Sequence, residues 1–201
     1  MTKISEAGIG VNRPYTVHFS KRDAEDRAEI EQFIRDIFFQ VCGARVRFFL
    51  PTLMSLRDQD GKLLAACGIR SAGAERLYME QYMDKPIEQV LSERVSSTVA
   101  RNDIVEIGNY SVAEMGLSRL LINAIFDQLH ATSKQWAVFT AVQVVRNTLI
   151  KADIVPQILC DADINRLPPE EQSDWGSYYE QNPKVMAVKR IERRKENRIS
   201  P

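Results

Sequence analysis

One acidic residue, Glu106, interrupts an apolar stretch that alternates like a β-strand. Residues 103–109 place successive side chains on two faces, and Glu106 lies between Val105 and Ile107. Burial disfavours the charged form of a carboxylate and raises its pKa, which suits a general base. The alternative is a structural ion pair between Glu106 and an arginine, either Arg70 or Arg101. From these residues alone both interpretations stay open.

A second candidate site lies where a strand leads through a turn into a helix. The start of such a helix presents unbonded N–H groups and a positive dipole end, which attract phosphate groups. Gly116 would let a ligand approach closely, and Arg119 adds a positive charge in the helix predicted at about 116–131. The alternative is a structural glycine, because many α/β proteins have one where a helix begins.

The remaining reactive residue types show no pattern of a known site. Three cysteines lie far apart without a C-x-x-C pair, and there are two histidines, so we expect neither a disulfide framework nor a metal site. Carboxylates beside Cys160 disfavour its thiolate, which makes a structural role the better interpretation. By residue type alone, Tyr178 and Tyr179 beside Trp175 are packing residues.

The composition excludes several classes of protein. The chain has 201 residues, of which 44% are apolar and 27% charged, as in one globular domain. Its 27 basic and 27 acidic residues give no net charge, which argues against a nucleic-acid partner. No apolar stretch approaches the ~18 residues of a membrane span, and no export signal is visible. We therefore expect a cytoplasmic protein with reduced thiols and no integral membrane span.

The hydrophobic periodicity predicts alternating helices and strands. Apolar residues three and four apart predict helices at 30–41 (ended by Gly43), 84–95, 116–131 and 142–152, with a short one from 168. Strands are predicted at 45–50, 53–57, 62–69, 103–109, 136–140 and 185–188. This order predicts an α/β fold, one sheet with helices on both faces, over residues 1–190. Residues 191–201 form a charged tail, either a solvated end or a docking segment for an acidic partner.

Several short motifs resemble, in order, those of the thermostable hemolysin family. They are GARV at 43–46 with FLP at 49–51, AACGIR at 65–70, EQYMDKPIE at 80–88, IVEIGN at 104–109, FT at 139–140 with RN at 146–147, DAD at 161–163 and WGSYY at 175–179. This family resembles the GNAT acyltransferase fold and, within it, the acyl-homoserine-lactone synthases. The resemblance implies a GNAT-like mixed sheet.

The resemblance also implies where an acyl thioester binds. Its pantetheine arm would lie between two splayed strands, residues 104–109 and 136–140, and a pyrophosphate would meet the loop that follows the first strand. The implied cofactor-binding residues are Asn109, Val112, Gly116, Leu117, Ser118, Arg119 and Asn147, the last of which would hold a pantetheine amide. In that loop only Gly116 fits the usual GNAT pattern, and Glu114 would lie near a pyrophosphate. An acyl-carrier protein therefore stands beside acyl-CoA as the donor.

Together these features predict an acyltransferase that moves an acyl group from a thioester to an amine or hydroxyl of a small acceptor. Glu106 would accept a proton, and the backbone at 108–110 would donate to the oxyanion. Tyr178 or Tyr179 would protonate the leaving thiolate, and Glu80 and Tyr82 would contact the acceptor. No cofactor is expected to stay bound, because acyl-CoA or acyl-phosphopantetheine enters as a co-substrate.

Two other functions stay open. One is a membrane-active cytolysin, as the family name suggests, although neither an export signal nor a membrane-compatible segment is visible. The other is a non-catalytic module that binds an acyl carrier or a metabolite. The sequence does not specify the acyl chain, the acceptor or the oligomeric state.

Overall fold

Eight strands form one mixed sheet in the computed structural model, which describes residues 3–4 and 14–190. The strands are β1 (Lys3–Ile4), β2 (Thr16–Ser20), β3 (Thr52–Arg57), β4 (Leu63–Ser71), β5 (Ile104–Val112), β6 (Trp136–Ala141), β7 (Gln157–Asp161) and β8 (Lys184–Lys189). Their order is β1-β2-β3-β4-β5-β6-β8-β7, and every neighbouring pair is antiparallel except the parallel pair β5–β6. The tail predicted at 191–201 lies outside the described residues.

Helices cover both faces of this sheet, as predicted. They are α1 (Arg27–Cys42), α2 (Ile87–Val95), α3 (Ser118–Ala131), α4 (Gln143–Lys151) and the short α5 (Pro169–Gln172). The buried residues of α1 pack on β3 and β4, and those of α2 pack on β5, β6 and β8. The buried side of α3 packs on the opposite face, with α4 beside it. Apolar stripes on the helices thus form the two cores.

The alternation in β5 divides its side chains between these two cores. Ile104 packs with the residues of α2, whereas Val105 and Ile107 pack with those of α3. Glu106 lies on the same face as Ile104 because successive side chains of a strand point to opposite faces. The sheet therefore directs the carboxylate of Glu106 toward the face that α1 and α2 cover.

Strands β5 and β6 pair along only part of their length. Their parallel pairing runs from Ile104 and Trp136 to Ile107 and Phe139, although β5 continues to Val112 and β6 to Ala141. On the other edge of β5 the register with β4 shifts beyond Gly68 and Gly108. Asn109 lies at this bulge with a φ of 50°, a left-handed conformation that asparagine tolerates. A gap opens between β5 and β6 as a result.

The strand predicted at 45–50 is wrong, because residues 43–50 form an irregular segment that joins no ladder. The alternation behind the prediction is real, since Ala44 and Val46 are buried and Arg45 is exposed. The backbone instead bonds to loops and side chains. The N–H of Arg45 donates to the carbonyl of Asp174 at 2.6 Å, and the N–H of Leu50 donates to Asn109 Oδ1 at 3.0 Å. Sequence periodicity identified the alternating burial of this segment but not its lack of a partner strand.

Candidate functional site

A cavity of about 430 Å³ occupies the gap between β5 and β6 and reaches both faces of the sheet. Six of the predicted site residues line it, namely Tyr82, Glu106, Asn109, Val112, Ser118 and Tyr178. Another six do not line it, namely Glu80, Gly116, Leu117, Arg119, Asn147 and Tyr179. The structure thus brings the predicted base and one predicted acid to a common space.

The two ends of this cavity differ in polarity. On the face of α3 and α4 its walls are apolar, formed by Ile122, Ile125, Phe126, Phe139, Val145 and Leu149. On the face of α1 and α2 the charged side chains of Arg45, Arg47, Arg70, Glu106, Glu171 and Asp174 line it, together with Phe38, Tyr78 and Trp175. One end suits a hydrocarbon chain and the other a small polar molecule.

Glu106 lies at the polar end of the cavity, and it is 3% exposed. Its Oε2 accepts a hydrogen bond from the backbone N–H of Tyr78 at 3.0 Å, and its Oε1 accepts one from the N–H of Met79 at 2.9 Å. Arg70 Nε lies 3.9 Å from Oε2, beyond hydrogen-bond distance. Arg70 therefore lies at ion-pair distance from Glu106, as one interpretation of the sequence expected. The hydrogen bonds that hold the carboxylate come instead from two backbone amides.

Burial raises the pKa of the Glu106 carboxyl above its usual value. The amide hydrogen bonds and the positive charge of Arg70 act in the opposite direction and lower it, while Glu80 adds to the rise. A carboxylate with a raised pKa binds a proton more readily than an exposed one. Its environment thus fits a group that accepts a proton from a bound molecule.

Glu80 holds the turn that presents the two amides. Its Oε2 accepts the N–H of Leu77 at 2.8 Å, its Oε1 accepts the N–H of Ile87 at 2.9 Å, and Arg101 donates to both oxygens at 2.6 and 2.9 Å. Burial alone would raise the pKa of Glu80, but these bonds outweigh it and hold the pKa at about 2. With every oxygen occupied and no exposure to the cavity, Glu80 positions the turn rather than touching an acceptor.

The tyrosines form an aromatic cluster with Trp175. Tyr178 lines the cavity, and its hydroxyl donates to the carbonyl of Thr140 at 3.5 Å, one residue beyond the last pairing of β6 with β5. The hydroxyls of Tyr82 and Tyr179 bond to each other. Burial raises the pKa of Tyr178 and that of Tyr179, the latter to about 12. Both phenols are therefore protonated at neutral pH, and Tyr178 is the one that reaches the cavity.

The predicted cofactor-binding residues separate into two groups. Val112 and Ser118 lie at the cavity, whereas Gly116 and Arg119 are exposed outside it and Leu117 is buried in the core. The side chain of Asn109 lines the cavity but already bonds to the backbone of Leu50 and Phe48.

Asn147 does not reach the cavity either. It lies on the exposed side of α4, where its Oδ1 accepts a hydrogen bond from Gln143 at 2.6 Å. It is Leu149, two residues further on, that turns inward to the lining. Residues two apart on a helix point to different faces. The match to the RN motif did not take this into account and therefore assigned Asn147 to the cavity.

Sequence reasoning missed several residues that shape the site. Tyr78 and Met79 contribute backbone amides, which carry no side-chain signature. Arg70 was considered only as a partner of Glu106, although it lines the cavity itself. Its position directly across the β4–β5 ladder from Glu106 would have been the available signal, had the register been known.

Within residues 3–4 and 14–190, no cluster of three or more histidine, cysteine or acidic side chains could hold a metal ion. No helix in the same part of the chain is both long and apolar enough to cross a membrane.

Solved structures share this fold over most of the chain. The AHL synthase LasI matches with a TM-score of 0.60 at 12% identity, covering 89% of this chain and 91% of its own. The acyl-homoserine lactone synthase BjaI, solved with SAM and isopentyl-CoA, matches with 0.57 at 12% identity, covering 88% and 83%. FeeM, an N-acyl amino acid synthase from uncultured soil microbes, matches with 0.57 at 10% identity, covering 87% and 88%. The fold is the predicted GNAT-like mixed sheet.

A match to a family model identifies the chain more closely than its fold does. The model of the thermostable hemolysins matches residues 20–193, so the chain belongs to the thermostable hemolysin family. A comparison with curated proteins finds no match.

The Glu80–Arg101 pair should make stability depend on pH. Because the pKa of Glu80 is about 2 in the fold against an ordinary 4.5, its ionised form stabilises the protein above about pH 4.5 and that contribution is lost as the pH falls toward 2. Glu80→Gln should lower the free energy of unfolding by about 3 kcal/mol at pH 7. In urea unfolding, the difference from the unmodified protein should narrow steadily between those two pH values.

Glu88 provides a matched control, because it also bonds to Arg101, at 2.7 Å, but its side chain is 26% exposed. Glu88→Gln should cost about 1 kcal/mol or less. Equal losses from the two substitutions would contradict the role given to Glu80.

Proposed function

We propose that this protein is an acyltransferase that moves an acyl group from an acyl thioester to an amine or hydroxyl of a small acceptor. The observation that carries the proposal is the open gap between β5 and β6 with Glu106 beside it. Two further facts support it, namely the likeness in fold to acyl-homoserine lactone synthases and the division of the cavity into apolar and polar ends.

The donor arm fits the gap because an extended chain of amides can lie along two unpaired strand edges. Beyond Ile107 and Phe139 the facing edges of β5 and β6 do not bond to each other, which leaves backbone groups for such an arm. The apolar end of the cavity then takes the acyl chain. The donor leaves after each turnover, so no cofactor stays bound.

The carrier of the thioester is either CoA or an acyl-carrier protein. Ser118 begins α3 at the cavity, so the N–H groups at this helix start lie close to the donor end. Gly116 and Arg119 are exposed nearby, where a phosphate outside the cavity would meet them. BjaI, a relative in fold, is described as binding isopentyl-CoA, which makes acyl-CoA the first donor to test.

In the reaction, the acceptor nitrogen or oxygen attacks the thioester carbonyl carbon, forming a C–N or C–O bond. Glu106 accepts the proton that this atom loses, directly or through a water. The backbone at the bulge of Asn109 is available to donate to the oxyanion. When the C–S bond breaks, the thiolate takes a proton from the phenol of Tyr178, which lines the cavity. Solvent restores the proton of Tyr178 and removes the one on Glu106.

The description of the family favours a second, linked function. A long acyl chain on a polar acceptor yields an amphiphile, and each buried CH₂ contributes about 0.8 kcal/mol to membrane binding. Lysis would then follow from the product rather than from insertion of the protein.

Replacing the base should remove most of the acyl transfer. Glu106→Gln should lower kcat by ~10²- to 10⁴-fold, measured as thiol released from acyl-CoA thioesters with an amine acceptor. In the unmodified enzyme, kcat/KM should fall as the pH drops through the raised pKa of Glu106, because the carboxylate must be unprotonated to act. The residual kcat/KM of Glu106→Gln should not show this decrease at low pH. Full turnover by a folded Glu106→Gln variant would remove Glu106 from the mechanism.

The two adjacent tyrosines should differ in effect. Tyr178→Phe should lower kcat by ~10-fold or more, since its hydroxyl lies at the cavity and supplies the proton for the thiolate. Tyr179→Phe, its matched control, should retain most of the rate because Tyr179 does not line the cavity. The comparison should use thioesters with thiols of high and low pKa, since a thiol that leaves readily needs less proton donation. The assignment is wrong if Tyr179→Phe proves to be the slower variant.

Vesicle leakage separates the two routes to lysis. Dye-loaded vesicles should stay intact with the protein alone, and should leak only when an acyl thioester and an acceptor are both supplied. Glu106→Gln is the control, because it should abolish the leakage that depends on turnover. Leakage caused by protein alone, at the same level in the variant, would instead show a directly membrane-active protein.

A further inference from the structure

Arg70 stands beside the candidate base with part of its guanidinium unused. It pairs directly with Glu106 across the β4–β5 ladder, its side chain is 15% exposed, and it lines the polar end of the cavity. Its Nη1 donates to the carbonyl of Arg76 at 2.9 Å, which fixes the plane of the group. Neither Nε nor Nη2 has a hydrogen-bond partner among the described residues, and Nε is buried.

The unused nitrogens form the edge of a guanidinium that holds a carboxylate with two parallel hydrogen bonds. The nearest acidic oxygens lie at 3.9 Å on Glu106 and 3.7 Å on Glu75, both beyond hydrogen-bond distance of Nε. A buried charged donor without a partner is costly, and such groups occur at sites where a ligand or ordered water completes them. Arg70 thus lies at ion-pair distance from two carboxylates and keeps hydrogen-bonding capacity that neither of them uses.

Glu106 does not account for this edge, because its two oxygens each accept a backbone amide already. If Arg70 served only to neutralise Glu106, a direct hydrogen bond would be the stronger arrangement. The 3.9 Å separation instead leaves an acid and a base side by side. A molecule that carries an amine and a carboxylate on the same carbon can bond to both.

Building on the proposed function, we propose that the acceptor is an α-amino acid, whose carboxylate bonds to Arg70 and whose amine delivers its proton to Glu106. The C–N bond forms at the thioester carbonyl as the C–S bond breaks. The products are an N-acyl amino acid, a free thiol and a proton. Neutral amines of the same shape lack the anionic group and leave the cationic edge unsatisfied.

The test compares L-amino acids with their carboxamides, which keep the amine and the side chain but lose the anionic group. With acyl-CoA as donor, thiol release should proceed with a kcat/KM ~10- to 100-fold higher for the amino acids. Arg70→Gln should abolish that preference by raising KM for the amino acids, whereas any change that it makes through the pKa of Glu106 should affect both acceptor types alike. Arg70→Lys should restore part of it, because it keeps the charge. Arg166→Gln, an exposed arginine paired with Asp84 outside the cavity, is the control.

Equal use of amino acids and carboxamides by the unmodified enzyme would overturn the proposal. So would equal losses for both acceptor types in Arg70→Gln, because Arg70 would then act only through Glu106.

Calorimetric titration of the same compounds in the presence of coenzyme A requires no turnover and separates the two proposals. One outcome is that amino acids bind to the unmodified protein but not to Arg70→Gln, while no thiol is released from acyl-CoA. That result would support the carboxylate site at Arg70 and contradict the proposed acyl transfer. If no amino acid binds, the inference about Arg70 fails whatever the result for other acceptors.

Discussion

Two neighbouring strands that stop bonding to each other determine the whole arrangement. β5 and β6 pair as far as Ile107 and Phe139 and then separate, so the sheet gives up several backbone hydrogen bonds at its centre. Other groups keep the gap open. Asn109 adopts a left-handed conformation at a bulge and accepts a hydrogen bond from Leu50 in the segment 43–50, and Tyr178 donates to Thr140 on the opposite side. Small residues are needed here, because a Cβ on Gly68 would lie 2.6 Å from Asn109 Oδ1.

A chain of interactions places Glu106 beside the gap. Arg101 bonds to Glu80, Glu80 bonds to the N–H groups of Leu77 and Ile87, and the turn so fixed directs the amides of Tyr78 and Met79 at Glu106. The buried carboxylate is thus hydrogen-bonded by two backbone amides, while Arg70 lies 3.9 Å away and makes no hydrogen bond to it. The two acidic residues therefore differ in their environments, since Glu80 has a lowered pKa and Glu106 a raised one. The first fits a structural role and the second a chemical one.

Local periodicity was enough to predict most of the elements. The alternation at 103–109 identified β5, and the apolar stripe at 116–131 identified α3. Buried faces require apolar residues at the repeat of a strand or a helix, and that spacing is visible in the sequence. The same reasoning failed for 45–50, where alternately buried residues have no partner strand, and it missed β2 and β7, whose residues are mostly half-buried or exposed. Pairing partners depend on contacts distant in sequence, which a local pattern does not contain.

The candidate site was predictable to a lesser degree. Glu106 was identified because a carboxylate on an apolar strand is unusual. Arg70 was not given a role of its own, because its place across from Glu106 depends on the β4–β5 register. Asn147 and Arg119 were assigned from motif position, and the helical phase turns both away from the cavity. Backbone amides, such as those of Tyr78 and Met79, leave no trace in residue identity.

A crystal structure of the protein with an unreactive thioether analogue of an acyl-CoA would show directly whether the donor binds in the gap between β5 and β6. The account predicts that the pantetheine arm lies between residues 108–112 and residues 140–141. The acyl chain should extend toward Phe126 and Leu149, with the sulfur near Glu106. An analogue bound elsewhere, with the space between β5 and β6 still empty at saturating concentration, would contradict it.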